Sequence, residues 1–225
     1  MENVNYRENI GIKIQLTDLK KSEDGKYSTG VAAEYDNTPV YVVTEKTDNL
    51  EIIAVIVNKS DNNQTWIAAD EGVSIIEPMI RNIIGDDSDN EYYCLYEKTC
   101  GSIVYLNRDG VKYYLLIENH SGHIGFPKGH VEFGETEEET AEREVREETF
   151  LNVTINPDTR QAYTYKNPEG IIKNCVYFCS EFTEELIRLQ EGEIIRCWLV
   201  PYEEAMPLLN YPQDRVIFEK AHNMK

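Results

Sequence analysis

Residues 129–151 read GHVEFGETEEETAEREVREETFL, and the fold of the chain turns on them. Thr136 followed three places later by Glu139 is a capping box, in which each side chain satisfies an otherwise unpaired backbone N–H. A helix is therefore expected over residues 136–149. In it Glu144, Glu147 and Glu148 lie at i, i+3 and i+4 and share one face. Three carboxylates that close repel one another, and protonating one relieves the strain. A hard divalent cation relieves it better, because Mg²⁺ prefers oxygen ligands and keeps waters for exchange. Glu139–Arg143 and Glu142–Arg146 are also i, i+4 pairs, so the stretch taken alone reads first as a solvated, ion-paired surface helix.

Outward from this helix, strand-like runs precede it at residues 92–96, 102–106 and 111–118 and follow it at 174–180 and 194–200. Two short helices close the chain. Helices interleaved with strands predict an α/β sandwich. The first 90 residues have another character, with β-rich runs at 38–43 and 50–57 and a short helical run at 78–84. The loop-like GDDSDNE at 85–91 is the best linker, so a small mainly-β domain is expected over 1–90 and an α/β domain over 91–225.

The 225 residues hold 22 basic and 41 acidic side chains, a formal charge of −19 shared almost evenly between the two parts. Such a surface repels duplex phosphates, which excludes sequence-independent nucleic-acid binding, and it admits a bare polyphosphate only where divalent cations mediate the contact. No apolar run approaches the roughly 20 residues of a membrane span. The N-terminal MENVNYRENIGIK lacks the basic-then-apolar order of a leader, so a cytoplasmic protein is expected. The five cysteines, Cys94, Cys100, Cys175, Cys179 and Cys197, form no C-x-x-C pair and read as reduced core thiols, with Cys175 and Cys179 on one side of a strand.

The spacing Gly129-x₅-Glu135-x₇-Arg143-Glu144-Val145-x-Glu147-Glu148-x-Phe150-Leu151 resembles the Nudix box, with eight of nine specified positions matching. Phe150 is the departure: the family pattern has Gly there, and a positive φ at the helix exit suits Gly far better than Phe. The resemblance implies an α/β/α sandwich and a Mg²⁺- or Mn²⁺-dependent pyrophosphohydrolase. It implies that Glu144, Glu147 and Glu148, with the Gly129 carbonyl, hold the metal. Arg143 would orient Glu144 or its neighbours, and Glu135 would stabilise the loop–helix junction. The general base varies in the family; Glu147, Glu148 and, as a distal candidate, Glu193 are all open.

Immediately before the box, His123-Ile124-Gly125-Phe126-Pro127-Lys128-Gly129-His130-Val131-Glu132 looks like the asymmetrically cleaving diadenosine tetraphosphate hydrolase branch. Tyr165 followed by Lys173-Asn174-Cys175-Val176-Tyr177, and Leu208-Leu209-Asn210-Tyr211 ending in Arg215, are similar to later motifs of that branch. The likeness implies that Tyr165 and Tyr211 stack on the two faces of an adenine and that Lys128, Lys173 and His123 meet phosphate. Arg215 is a further substrate candidate or a partner of Glu219. The implied partner is a small nucleotide, with a homodimer open.

Residues 39–84 faintly resemble inorganic pyrophosphatase, through Pro39-Val40-Tyr41, the strand at 52–56 and the Trp66-bearing turn. Only Asp61 remains of that turn's two Asp and Lys, since Gln64 and Thr65 stand at the other places, so a degenerate, non-catalytic domain is expected. Two other functions stay open for the whole chain: a hydrolase of nucleoside triphosphates or RNA 5′ ends, and a nucleotide-binding sensor without turnover.

Overall fold

In the computed structural model the described residues are 6–224 without 33, 36, 46–48, 133, 184 and 185. Residues 1–5, read above for a leader, lie outside them. The chain forms two compact units. The first comprises Met1–Glu97 and Lys166–Lys173, the second Lys98–Tyr165 and Asn174–Lys225.

The first unit opens with a 3₁₀ turn and strands β1 (Lys13–Ile14), β2 (Thr17–Lys21), β3 (Ser28–Ala32) and β4 (Thr38–Val42). Then come β5 (Leu50–Asn58), β6 (Gln64–Asp70), helix α1 (Glu77–Ile84) and β7 (Asn90–Cys94). The strands make one seven-stranded sheet in the order β1-β5-β6-β4-β3-β2, with β7 also paired to β5. β4 and β6 run parallel, while the other pairs with β5 are antiparallel. β5 lies between neighbours and is buried along almost its whole length, which is why LEIIAVIV reads as a continuous apolar run rather than an alternation. Trp66, Leu50, Ile52 and Val55 anchor its core. Residues 90–97, counted above with the second domain, cluster with this unit, because β7 continues its sheet along β5. The tip of a later hairpin, Lys166–Lys173, belongs here too: Ile172 N–H donates to the Leu95 carbonyl at 2.8 Å and Ile171 is buried.

The second unit contains most of β8 (Tyr96–Arg108), then β9 (Val111–Asn119), β10 (Ile124–Gly125), β11 (Lys128–His130), helix α2 (Glu137–Thr149) and β12 (Asn156–Lys166). β13 (Ile172–Glu181) from Asn174 onward, β14 (Ile194–Pro201), α3 (Tyr202–Leu208) and α4 (Pro212–Asn223) complete it. Its sheet runs β10-β9-β8-β13-β12, with β11 on β8 and β14 on β9. Strand alternation splits the core in two. Ile103, Tyr114, Leu116, Cys175, Tyr177 and Cys179 face Ala205, Leu209, Ile217 and Phe218 of the C-terminal helices and the loop between them. The intervening Val104, Leu106, Leu115, Val176 and Phe178 face Ala141 and Val145 of α2. This is the α/β/α sandwich expected, and Cys175 and Cys179 share a side; all five cysteines are free. β12 escaped the sequence reading because in NPDTRQAYTYK only Tyr163 and Tyr165 give it an apolar side, too short a run to stand out; it pairs at the sheet's edge and stays half-exposed. No helix among the described residues is long and apolar enough to cross a membrane.

Candidate active site

The acidic helix starts where the capping box places it. Glu139 N–H donates to Thr136 Oγ1 at 3.2 Å, and Thr136 N–H donates to Glu139 Oε2 at 2.8 Å. Glu139 is thereby committed to the cap, and Glu142 accepts from Ile155 N–H, so the surface pairs Glu139–Arg143 and Glu142–Arg146 do not form. Arg143 turns inward instead. Its Nε and Nη2 grip Glu135 at 2.6 and 2.9 Å, Nη2 also donates to the His130 carbonyl, and Nη1 reaches Glu144 at 2.6 Å and Glu147 at 3.1 Å. The two-pronged grip is the strong form of such a pair, and the guanidinium's fixed fork sets the angle between loop and helix. Glu135 accepts in addition from Glu132 N–H and Thr140 Oγ1, and with Arg143 beside it its carboxyl is held at about 2.

Around that hub the carboxylates crowd. Glu148 is buried and accepts from Lys128 N–H at 3.0 Å; burial, with the nearby Glu144 charge, pushes its carboxyl up to about 8. Burial also raises Glu144, to which Glu147 and Glu193 add repulsion. Gly129 makes room for this: a Cβ there would collide with the Glu144 carboxylate. Among the described residues no three His, Cys, Asp or Glu side chains already converge as a metal cage, since Glu144 and Glu147 are drawn to Arg143. The donor set nevertheless fits a hard divalent cation. It is all oxygen, it sets three carboxylates against the single guanidinium of Arg143, with Glu148 buried, and the glycine beside it leaves the Glu144 carboxylate unobstructed.

Two cavities adjoin this region. One, of about 180 Å³, is lined by Thr99, Lys128, Gly129, His130, Glu148 and Glu193 among others. The second, of about 210 Å³, is lined by His123, Lys128, Tyr163, Tyr165, Tyr211 and Gln213 among others. Lys128, His123 and Asn119 border both. The loop bearing His123 is fixed from inside by Asn119 Oδ1, which accepts from the N–H groups of Ser121 and His123. Asn210 fixes it from outside, donating to the Gly122 carbonyl and accepting from Ile124 N–H.

A NUDIX domain model matches residues 98–221, more than half of the chain. The chain belongs to the NUDIX family. NAD-capped RNA hydrolase NudC of Actinobacillus succinogenes is 35% identical to it over 114 residues, covering 45% of this chain and 40% of that protein. The chain therefore spans well under half the length of that curated relative. Among solved structures, the binary complex of the C. elegans Ap4A hydrolase superposes with a TM-score of 0.51 at 25% identity, covering 55% of this chain and 93% of the other. NUDIX hydrolases are pyrophosphohydrolases that generally use divalent metal ions, and the box of this NUDIX domain is the loop and helix described above.

Of the residues singled out from sequence, Arg143, Glu144 and Glu147 form one ion-paired cluster, with Glu148, Gly129 and Glu193 around the smaller cavity. His123, Lys128, Tyr165 and Tyr211 meet around the larger one. Lys173 sits in the first unit, 2.8 Å from Glu97. Arg215 donates from Nε to the Leu209 carbonyl at 2.7 Å, closing the end of α3. Sequence reasoning passed over Tyr163 and Asp214. Asp214 had only one visible signal, its place in the first turn of a helix, which ordinarily marks a macrodipole partner.

Proposed function

We propose that this NUDIX domain hydrolyses dinucleoside polyphosphates such as diadenosine tetraphosphate, releasing a nucleoside monophosphate and a nucleoside triphosphate with Mg²⁺ or Mn²⁺ as cofactor. One observation carries the reading: Lys128 borders both the tyrosine-lined cavity and the carboxylate-lined cavity. A nucleoside held in the first would extend its phosphates past Lys128 to the second. Tyr165 and Tyr211 offer aromatic faces for a base, which retains a nucleoside without strict reading of its edges. Lys128 supplies a point charge to a bridging or terminal phosphate.

Glu144, Glu147 and Glu148, with the Gly129 carbonyl, would hold the cation. When bound, that cation neutralises phosphate oxygens and lowers the pKa of an attacking water. The residues of the chain divide the remaining work. Arg143 keeps Glu144 and Glu147 turned toward the loop, and Glu135 keeps Arg143 in place. Glu148, with its raised affinity for a proton, and Glu193, on the rim of the same cavity, are the groups placed to take the proton of the attacking water.

A second reading has its own support. The likeness to an NAD-capped RNA hydrolase favours a dinucleotide diphosphate, which shares with diadenosine tetraphosphate two nucleosides joined through phosphoanhydrides. The charge of −19 disfavours long RNA as the remainder of such a substrate. Assaying the full chain with Mg²⁺ or Mn²⁺ against diadenosine tetraphosphate, NAD, NAD-capped RNA and nucleoside triphosphates separates the readings. The proposal expects the highest kcat/KM on diadenosine tetraphosphate. Preference for NAD or its capped RNA would replace it, and tight binding without cleavage of any member would make the chain a sensor.

A further inference from the structure

We propose that Asp214 is a positioning residue of the substrate pocket, a buried spacer that holds the pocket's two aromatic walls at a fixed separation. The inference rests on the reading of the tyrosine-lined cavity as the nucleotide site. Asp214 is fully buried in the first turn of α4, and its carboxylate bonds to side chains from two other elements. Oδ2 meets His123 Nε2 at 3.0 Å, and Oδ1 accepts from the Tyr163 hydroxyl at 2.9 Å. A carboxylate taken wholly out of water is costly unless such bonds are made, so both partners are firmly held.

Each partner carries a wall. His123 packs edge-on against Tyr211 with ring centroids 4.6 Å apart, and Tyr163 lies beside Tyr165 at 6.1 Å. His123, Tyr163, Tyr165 and Tyr211 all line the cavity, whereas Asp214 does not, so the carboxylate sets the spacing without showing its charge to a phosphate chain. Burial and the Asp214 charge hold the Tyr163 phenol well above its ordinary value, which keeps it a donor to that carboxylate. With the carboxylate as acceptor, His123 Nε2 is the donor of this pair.

Gly125 gives independent support. A Cβ at that position would stand 2.9 Å from the His123 ring and 3.2 Å from Asp214 Oδ2, so the backbone is pared back where the pair meets. Asp214→Asn keeps the shape and removes the charge, Tyr163→Phe removes one bond, and Gly125→Ala pushes on the ring while deleting no polar group.

The test is steady-state hydrolysis of diadenosine tetraphosphate by the full chain with Mg²⁺, alongside thermal unfolding of each variant. Asp214→Asn is expected to raise KM about tenfold with kcat within threefold, and Tyr163→Phe and Gly125→Ala to shift KM in the same direction. In a His123→Ala background Asp214→Asn should add less than a further twofold, a non-additivity that a general loss of stability does not produce. A folded Asp214→Asn protein with KM within twofold of wild type overturns the inference, as does full multiplication of the two effects. If Asp214→Asn does not fold, unchanged KM in both Tyr163→Phe and Gly125→Ala overturns it instead. A wild-type chain that cleaves no nucleotide overturns the functional reading itself; a wild type that cleaves while the variants match it overturns only the spacer.

Discussion

Under the proposed function, Glu148 pits stability against activity within one side chain. Its ordinary value is 4.5 and burial raises it to about 8, so between those values the folded chain keeps a proton that the unfolded chain has lost. Stability in the absence of metal should therefore fall as pH rises through this window and stay low above it. Glu148→Gln removes the titrating group but keeps an acceptor for Lys128 N–H. Urea unfolding in EDTA at pH 8 should show the variant more stable than wild type by about 2 kcal/mol, while its turnover is lost. Mg²⁺ should then stabilise the wild type and leave the variant nearly unmoved. Phe150 shows another local tension. The family pattern places Gly at this helix exit, and Phe150 adopts φ 60° all the same, with its N–H bonded to the Arg146 carbonyl and its ring 55% exposed. A non-glycine residue held there stores strain that little packing offsets. Phe150→Gly should raise the unfolding free energy by about 0.5–1 kcal/mol with kcat unchanged.

At the scale of the element, α2 is pinned at both ends of its first turn. Thr136 and Glu139 cap it, and Glu137 takes Lys98 of β8 at 2.5 Å and Arg160 of β12 at 2.5 and 2.9 Å. Those two cations hold the Glu137 carboxyl at about 2, below its ordinary 4.5. The folded state then binds fewer protons than the unfolded state between these values. The stabilisation is complete above about 4.5 and disappears as pH falls toward 2. Acid titration of thermal stability should be less steep in Glu137→Gln than in wild type across that interval, and an equally steep curve would remove Glu137 from the account. Much of this helix was legible beforehand, because capping and carboxylate spacing are local relations. The pairing of Arg143 was not. Five acceptors lie within its reach, and only the folded loop decides that Glu135, eight residues back, outcompetes Glu139. Asp214 was hidden for a similar reason: its partners lie 91 and 51 residues away, and nothing in the spacing of PQDR announces them.

Across the whole molecule, the sandwich was readable from strand runs and one family box, whereas the division between units was not. β7 joins a strand more than thirty residues upstream, and the tip of the β12–β13 hairpin is claimed by the first unit. Pairings of that range leave little trace in local composition. Tyr165 and Lys173 show how such a motif divides in the fold, since the first lines the tyrosine-lined cavity and the second pairs with Glu97 within the first unit. The hairpin tip also determines where the polypeptide tolerates being cut. A truncated protein starting at Lys98 would keep Ile171 and Ile172 but lose Leu95, leaving a hydrophobic side chain uncovered and a backbone donor unsatisfied. Such a fragment is expected to aggregate on expression where the intact chain does not, and recovery of a monodisperse, active fragment would refute this. A cut at residue 97 thus misses the true border, because eight residues some seventy positions further on are counted with the part being discarded.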